Sequence, residues 1–399
     1  MQLVWAENVR RKTNKPVLIL TPLAVSAQTV REAEKFGIDC QQSRDGSVKP
    51  NITVTNYERL HYFYPEHFAG VVCDESSILK NFDGVRRNTI TEFMRKTPYR
   101  LLCTATAAPN DFIELGTSSE ALGELGHMDM LARFFKNDDK SLFLHGTKYG
   151  DMTQNKWRFK AHAEEPFWRW VCSWARACRK PSDLGFDDAR FILPELITRE
   201  HEVKASSLPN GFLFNIGART LAEQHDDQRR TVPERCKLVA KLVAGNAPAI
   251  VWCHRNGEAE LVRELVQDSR EVSGLDSDEE KEESFQDFTS GVFRVLITKP
   301  KIGCLGMNFQ HCAHQTFFPS HSFEQWYQGI RRSWRFGQTK PVTIDIVSSE
   351  GEVGVLASLK RKTEAAERMF GMLVSLMGRF QTIKPAGYGS LDVEVPSWL

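Results

Sequence analysis

Long apolar runs are missing from these 399 residues. The longest uninterrupted ones hold only a few side chains, far below the ~20 that a bilayer-spanning helix needs, so no membrane partner is expected. The sequence also opens without the apolar stretch and small-residue cleavage site of an export signal. Its nine cysteines fall at irregular spacings, which argues against a disulfide framework and for reduced thiols in a cytoplasmic compartment. An excess of either charge is lacking too: 52 Lys plus Arg balance 51 Asp plus Glu, a formal charge of +1, so any basic surface must be local. None of the 26 glycines is followed by lysine, which excludes the Gly-Lys-Ser/Thr turn of a phosphate-cradling P-loop. No solenoid period or low-complexity tract is present.

What is there is an alternation repeated twice. Short strand-like runs stand at Val17 to Leu20, Ile52 to Thr55, Val71 to Cys73 and Leu101 to Thr104. A second set follows at Ala249 to Cys253, Val295 to Thr298, Gln315 to Phe318 and Val342 to Val347, separated by stretches with helical spacing such as Glu258 to Val266. Strands alternating with helices predict parallel sheets with crossover connections, and the length suffices for two cores. The expected architecture is α/β, with a first lobe over residues 1–137 and a second over 231–386. Between them, 138–230 reads as a Trp- and base-rich insertion plus linker containing Pro181, Pro194 and Pro209, and 387–399 as an irregular tail.

Two segments carry chemistry. Val71-Val72-Cys73-Asp74-Glu75-Ser76-Ser77 is an apolar strand ending in paired carboxylates, at the strand end where α/β sheets place their reacting groups. Asp74 suits a magnesium ion held through its water shell, and Glu75 suits orienting and deprotonating an attacking water. A solvated turn is the alternative. The second segment is Gln328-Gly329-Ile330-Arg331-Arg332-Ser333-Trp334-Arg335-Phe336-Gly337-Gln338. Arg332 and Arg335, three apart, would share a helix face and converge on a phosphate; a basic helix facing nucleic-acid backbone or solvent is the alternative.

Taken in order, these and neighbouring segments resemble the Swi/Snf branch of the superfamily-two helicases. Leu18 to Leu23 is similar to motif Ia, Val54 to Glu58 to motif Ib, and Asp74 to Ser77 to the DEAH-type box. Leu102 to Asn110 is similar to motif III, Ile250 to Arg255 to motif IV, Thr298 through Gly303 to Phe309 to motif V, and Gln328 to Gln338 to motif VI. The resemblance implies two RecA-like parallel-sheet lobes with an interlobe insertion, binding ATP and Mg2+ in the cleft. Asp74, Glu75, Arg332 and Arg335 would be catalytic, with Asp74 on the metal. Gln328, Gly303 and Gly306 would contact nucleotide, and Thr104 and Thr106 would couple nucleotide state to nucleic acid. Thr21, Pro22, Thr55, Asn56, His254, Arg255 and Thr298 would line a nucleic-acid track. The implied partner is duplex DNA bound without sequence preference, since amides and short polar groups hold phosphates rather than read bases.

The sequence departs from that pattern at its front, where Met1 to Arg10 reads as the helix that the family places directly after its P-loop. A truncation, a late start codon, or a split gene whose P-loop arrives on an upstream polypeptide is expected. Ser76-Ser77 in place of Ala-His, Ala105 in place of Gly and Arg331 in place of Gly fit a divergent branch such as phage or prophage proteins, in a bacterial cytoplasm. A fragment that binds nucleic acid without turning over ATP is the rival reading. A nuclease or methyltransferase would need a carboxylate cluster or cofactor loop of its own.

Weaker features favour packing over chemistry. Phe167, Trp170, Val171, Trp174 and Cys178 fall at helical spacing and predict an apolar helix face, although aromatics among bases can also stack on nucleic acid. His311-Cys312-Ala313-His314 and the pair Cys172 and Cys178 match no zinc spacing. The acidic run Asp276 to Glu283 reads as the solvated start of a helix.

Overall fold

The computed structural model describes residues 1–22, 25–80, 84–108, 111–137, 157–189, 191–204, 221–303 and 307–380. Leu23, Pro109, Asn110, Cys304, Leu305, Gly306, Pro209 and the tail 387–399 lie outside the described residues.

The first half runs α1 (Gln2–Thr13), β1 (Val17–Thr21), α2 (Ser26–Lys35), β2 (Cys40–Gln42), β3 (Ile52–Asn56), β4 (Gly70–Asp74), α3 (Val85–Lys96), β5 (Tyr99–Cys103), α4 (Leu115–Leu122) and α5 (His127–Phe134). Its strands form one parallel sheet in the order β2-β3-β1-β4-β5, with Val17 opposite both Ile52 and Gly70. β1 and β3 are buried throughout, as expected of strands covered on both faces. Leu18, Leu20, Val71 and Cys73 point into one core with Phe93 and Met94 of α3. Ile19, Val17 and Val72 point into the other, closed by Leu3, Ala6 and Val9 of α1.

β6 (Phe135–Asn137) and β7 (Trp157–Phe159) then pair antiparallel, and α6 (Glu164–Trp174) follows. The second half contains β8 (Leu196–Val203), α7 (Leu221–Arg230), α8 (Val232–Leu242), β9 (Ala249–Trp252), α9 (Asn256–Leu265), β10 (Ser269–Val272) and α10 (Asp278–Thr289). It continues with β11 (Val295–Thr298), α11 (Pro300–Gly303), β12 (His314–Phe317), α12 (Phe323–Ser333), β13 (Val342–Ser349) and α13 (Val353–Phe380). Its six strands are parallel in the order β10-β11-β9-β12-β13-β8. The molecule is therefore α/β with two parallel sheets. Among the described residues no helix is long and apolar enough to cross a membrane.

Several local readings change. β8, within the stretch whose sequence suggests a linker, is an edge strand paired with β13 over eight residues, Leu196 against Val342 through Val203 against Ser349. α6 does bury an apolar face, but that face is Phe167, Trp168, Val171 and Cys172; Trp170 and Trp174 are partly covered, and Cys178 is exposed beyond the helix end. The acidic run opens α10: the Ser277 hydroxyl accepts the Glu280 amide at 3.2 Å, the Glu280 carboxylate accepts the Ser277 amide at 2.7 Å, and Phe285 and Phe288 are buried. In the His311 to His314 stretch, His314 Nε2 lies 2.7 Å from the buried Asp345 carboxylate, which His201 Nε2 meets at 2.7 Å from β8. These histidines tie three neighbouring strands together.

α13 crosses from one half to the other. Its start buries Val355 and Leu359 in the second half, while Met369, Leu373, Leu376 and Met377 join α5, α6 and the β6–β7 pair in a shared core. The Ala177 amide donates to Met377 Sδ at 3.2 Å there.

Candidate active site

β4 delivers its carboxylates through a sharp change of backbone direction. Asp74 ends the strand, its main-chain oxygen accepting the Tyr57 hydroxyl at 2.5 Å. Glu75 follows with φ of 49°, a left-handed conformation that is costly for a residue with a long side chain and concentrates at functional sites. Ser76 and Ser77 are buried in the 3-10 turn Ser76–Lys80, so they serve to seat the loop.

Both carboxyl groups are held above their ordinary range. Burial is the largest cause at Asp74, opposed by the Gln2 side chain, the Glu75 backbone amide, Arg332 and the chain's amino terminus. Burial also leads at Glu75, followed by the charge of Asp74; Arg332 opposes, Glu324 adds, and the group is pushed up to about 7.

Across the cleft stands α12. Ser322 caps it by accepting the Gln325 amide at 3.3 Å, and Phe323, Ile330 and Ser333 anchor it to the second half. The side facing β4 carries Glu324, Gln328 and Arg332. Gln328 Nε2 donates to Glu75 Oε2 at 3.3 Å, bridging the halves directly. Arg332 donates to the Met307 main-chain oxygen at 3.3 Å and acts electrostatically on both carboxyls.

The spacing of Arg332 and Arg335 predicts a shared helix face, but α12 ends at Ser333 and is capped by Trp334. Arg335 lies in the turn beyond it. The two arginines are nonetheless close: burial, and then the charge of Arg332, lower the pKa of Arg335, while Glu32 opposes. That turn explains the two residues after the arginines. Gly337 has φ of 92°, and a Cβ there would come within 2.8 Å of Gln310 Nε2. Gln338 Nε2 donates to the Gln310 and Ser333 oxygens at 2.8 and 3.3 Å. Both residues shape the loop. Arg331 turns elsewhere, stacking over Tyr327 and Trp334 with ring distances of 5.0 and 4.4 Å.

The other named residues are placed as follows. Gly303 ends α11, where a Cβ would lie 2.7 Å from Thr298 Cγ2 and 2.8 Å from the Trp252 ring, so close packing requires the glycine. The Thr104 hydroxyl accepts the Thr106 amide at 3.0 Å, and Thr106 is buried. Thr106 also lines a cavity of about 380 Å³ between the halves, beside Trp326, Trp334 and Phe370.

The residues assigned to a nucleic-acid track sit at strand ends with most side chains turned inward. Thr21 Oγ1 lies 2.8 Å from Ser26 Oγ, Thr55 donates to Ser43 O at 2.9 Å, and Thr298 donates to Val272 O at 2.8 Å. All three are buried, as is Asn56. Pro22 is partly exposed and accepts the Val25 amide through its carbonyl. His254 and Arg255 lead into α9, where Glu258 accepts both their backbone amides, at 3.0 and 3.1 Å, and pairs with the buried Arg235 at 2.9 Å. The Arg255 guanidinium donates to Gln228 Oε1 at 2.6 Å, and burial lowers the pKa of His254. Any phosphate held along these strand ends would meet backbone rather than the threonine hydroxyls.

Gln2, Lys80, Glu324 and Glu32 join this site without any sequence signal. Each is an ordinary polar residue on a helix or turn: Gln2 is brought in by the packing of α1 on β4, and Lys80, Glu324 and Glu32 by the packing of one half on the other.

No protein-family model matches the chain, and no curated protein does. Solved structures share its fold. A variant of S. cerevisiae Dbp5 bound to RNA and ADP BeF3 gives a TM-score of 0.51 at 11% identity, covering 93% of this chain and 84% of that one. S. cerevisiae Dbp5 bound to RNA and ADP BeF3 gives 0.50 at 10%, covering 90% and 81%. At such identities the likeness speaks to architecture alone: the halves are two RecA-like parallel-sheet lobes.

Proposed function

We propose that this chain is a nucleic-acid-dependent ATPase, a Swi/Snf-type translocase motor acting on duplex DNA in a bacterial or phage-infected cytoplasm. Its first lobe is residues 1–137, and its second takes in the edge strand β8 together with the described residues 231–380. The observation that carries the reading is the hydrogen bond from Gln328 to Glu75, with Arg332 acting on both carboxyls from the opposite lobe. Acid and base chemistry and positive charge thus meet only when the lobes do, which suits hydrolysis coupled to domain movement. Nucleotide and nucleic acid in the Dbp5 structures are in keeping with it.

Asp74, whose carboxyl burial holds above its ordinary range despite Arg332 and the amino terminus, is the residue that would hold magnesium, and the ion would neutralise phosphate oxygens. Glu75, poised near neutrality, takes the proton of the attacking water. Gln328 orients that carboxylate, and Arg332 with Arg335 offsets charge developing on the transferred group. The phosphate cradle fits only in part. α1 begins beside Asp74 without a side-chain cap, leaving first-turn amides for an anion, but no glycine-lysine pair exists in the sequence.

A P-loop supplied by another polypeptide is the second reading. β5 favours it: this strand ends the sheet, and all five of its residues are only half-buried despite the apolar Leu101, Leu102 and Cys103. A further parallel strand there would run beside Cys103, with β5 alone between it and Asp74.

ATP hydrolysis with and without duplex DNA, RNA or single strands tests both. DNA-stimulated turnover that Glu75→Gln lowers by about 10² to 10⁴ supports a self-sufficient motor. Turnover only after adding a P-loop-bearing polypeptide supports the two-piece enzyme. Nucleic-acid binding without turnover in either case leaves the binding-only protein.

A further inference from the structure

We propose that Lys80 and Glu324 form an interlobe latch that positions α12 against the carboxylate end of β4. The two side chains are ion-paired across the cleft, 244 positions apart in sequence, with only 28% and 15% of their surfaces exposed. Exposed pairs contribute little, because water and salt screen them. The other described ion pair between the two sheet lobes, Arg31 with Glu282, is of that kind at 3.6 Å and 62% and 54% exposure. Lys80 and Glu324 are shielded enough to direct docking.

Their placement fits this role. Glu324 is in the first turn of α12 and Lys80 at the end of the 3-10 turn that begins after Glu75. An acidic group at a helix start and a basic one at a turn's end are each where backbone dipoles favour them. Glu324 and Gln328 are four apart and hence on one helix face. The latch on one turn therefore fixes the height and rotation at which Gln328 meets Glu75 on the next.

Lys80 also shields the site. Glu324 is one of the negative charges that act on Glu75, and without its lysine it would press that repulsion on the docked surface. A further cation acting near Lys80 is Lys362 of α13, whose ammonium donates to the His321 main-chain oxygen at 2.8 Å. These are positioning residues: their effect on any chemistry passes through Gln328 and Glu75. The inference goes beyond the ATPase reading and needs no turnover to test.

The experiment is hydrogen exchange on the full chain, read in the Ser76–Lys80 turn and the first turn of α12, with solution scattering as a measure of lobe separation. Lys80→Met should speed exchange in both segments together by about fivefold and enlarge the particle. Lys80→Arg should behave as the native protein. In a double-mutant cycle, Lys80→Met with Glu324→Gln should be less open than Lys80→Met alone, because the stranded carboxylate is gone. Native exchange in both Lys80→Met and Glu324→Gln would overturn the latch, as would strictly additive effects. Far-UV circular dichroism separates opening from unfolding, and the near-isosteric Glu324→Gln keeps the test informative if Lys80→Met folds poorly.

Discussion

A group that takes a proton from water in one step and returns it later works best with a pKa near the working pH. Glu75, pushed to about 7 by burial and by Asp74, meets that condition, and two outcomes follow. On the proposed ATPase reading, hydrolysis should rise with pH as Glu75 ionises, with its midpoint at about 7, whereas a glutamate at the ordinary 4.5 would be half-ionised there and saturated well below neutrality; a pH profile of kcat reads this directly. Stability should move the other way. The folded chain holds the Glu75 proton to higher pH than the unfolded chain does, so stability falls as pH rises from 4.5 to about 7. Glu75→Gln, which cannot ionise, should therefore gain on the native chain across that window, by on the order of 1 to 3 kcal/mol. Urea unfolding at pH 5 and pH 8 compares them.

At the scale of elements, what was legible in the sequence depended on burial. The inner strands β1, β3, β4, β9 and β11 are short apolar runs because both faces are covered, and their runs are readable. β8 reads Leu-Ile-Thr-Arg-Glu-His-Glu-Val; as an edge strand with one solvated side it carries polar residues that look like linker. β10, with Ser-Arg-Glu-Val, is hidden for the same reason. The carboxylates of the site could be named from the apolar strand that ends in them. Arg335 was assigned by helical spacing, and the early end of α12 removes that argument while the loop closed by Gln338 keeps the residue near Arg332. Lys80 and Glu324 could not be read at all, since nothing local marks a pair that only tertiary docking creates. Packing of α11 gives a further expectation. Gly303→Ala would push a methyl group against Thr298 and Trp252, each at the end of a central strand, and should cost about 1 to 3 kcal/mol, measured as a lower urea midpoint with unchanged slope.

For the whole molecule, α13 decides whether the lobes behave as one body. Each lobe has two cores of its own, but a fifth is shared between them, with Leu373 and Met377 of α13 set against Phe167 and Val171 of α6. Removing part of that contact should uncouple the halves. Leu373→Ala should remove about 2 to 5 kcal/mol and broaden or split a single calorimetric transition into two; an unchanged single transition would mean that the lobes are coupled elsewhere. The same helix limits how the cleft can open, because it is seated in one lobe at Val355 and in the flanking core at Met377. Opening must bend or slide it.

The half-covered strand β5 also has a colloidal consequence. Backbone donors and acceptors on its outer side, beside Leu101 and Leu102, have no strand partner among the described residues, and such an edge is a template for any other extended chain. Concentrated preparations should self-associate through it, with light scattering rising steeply with protein concentration, and Leu101→Lys should suppress the effect. A short extended peptide in excess would act as an additive that keeps the chain monodisperse.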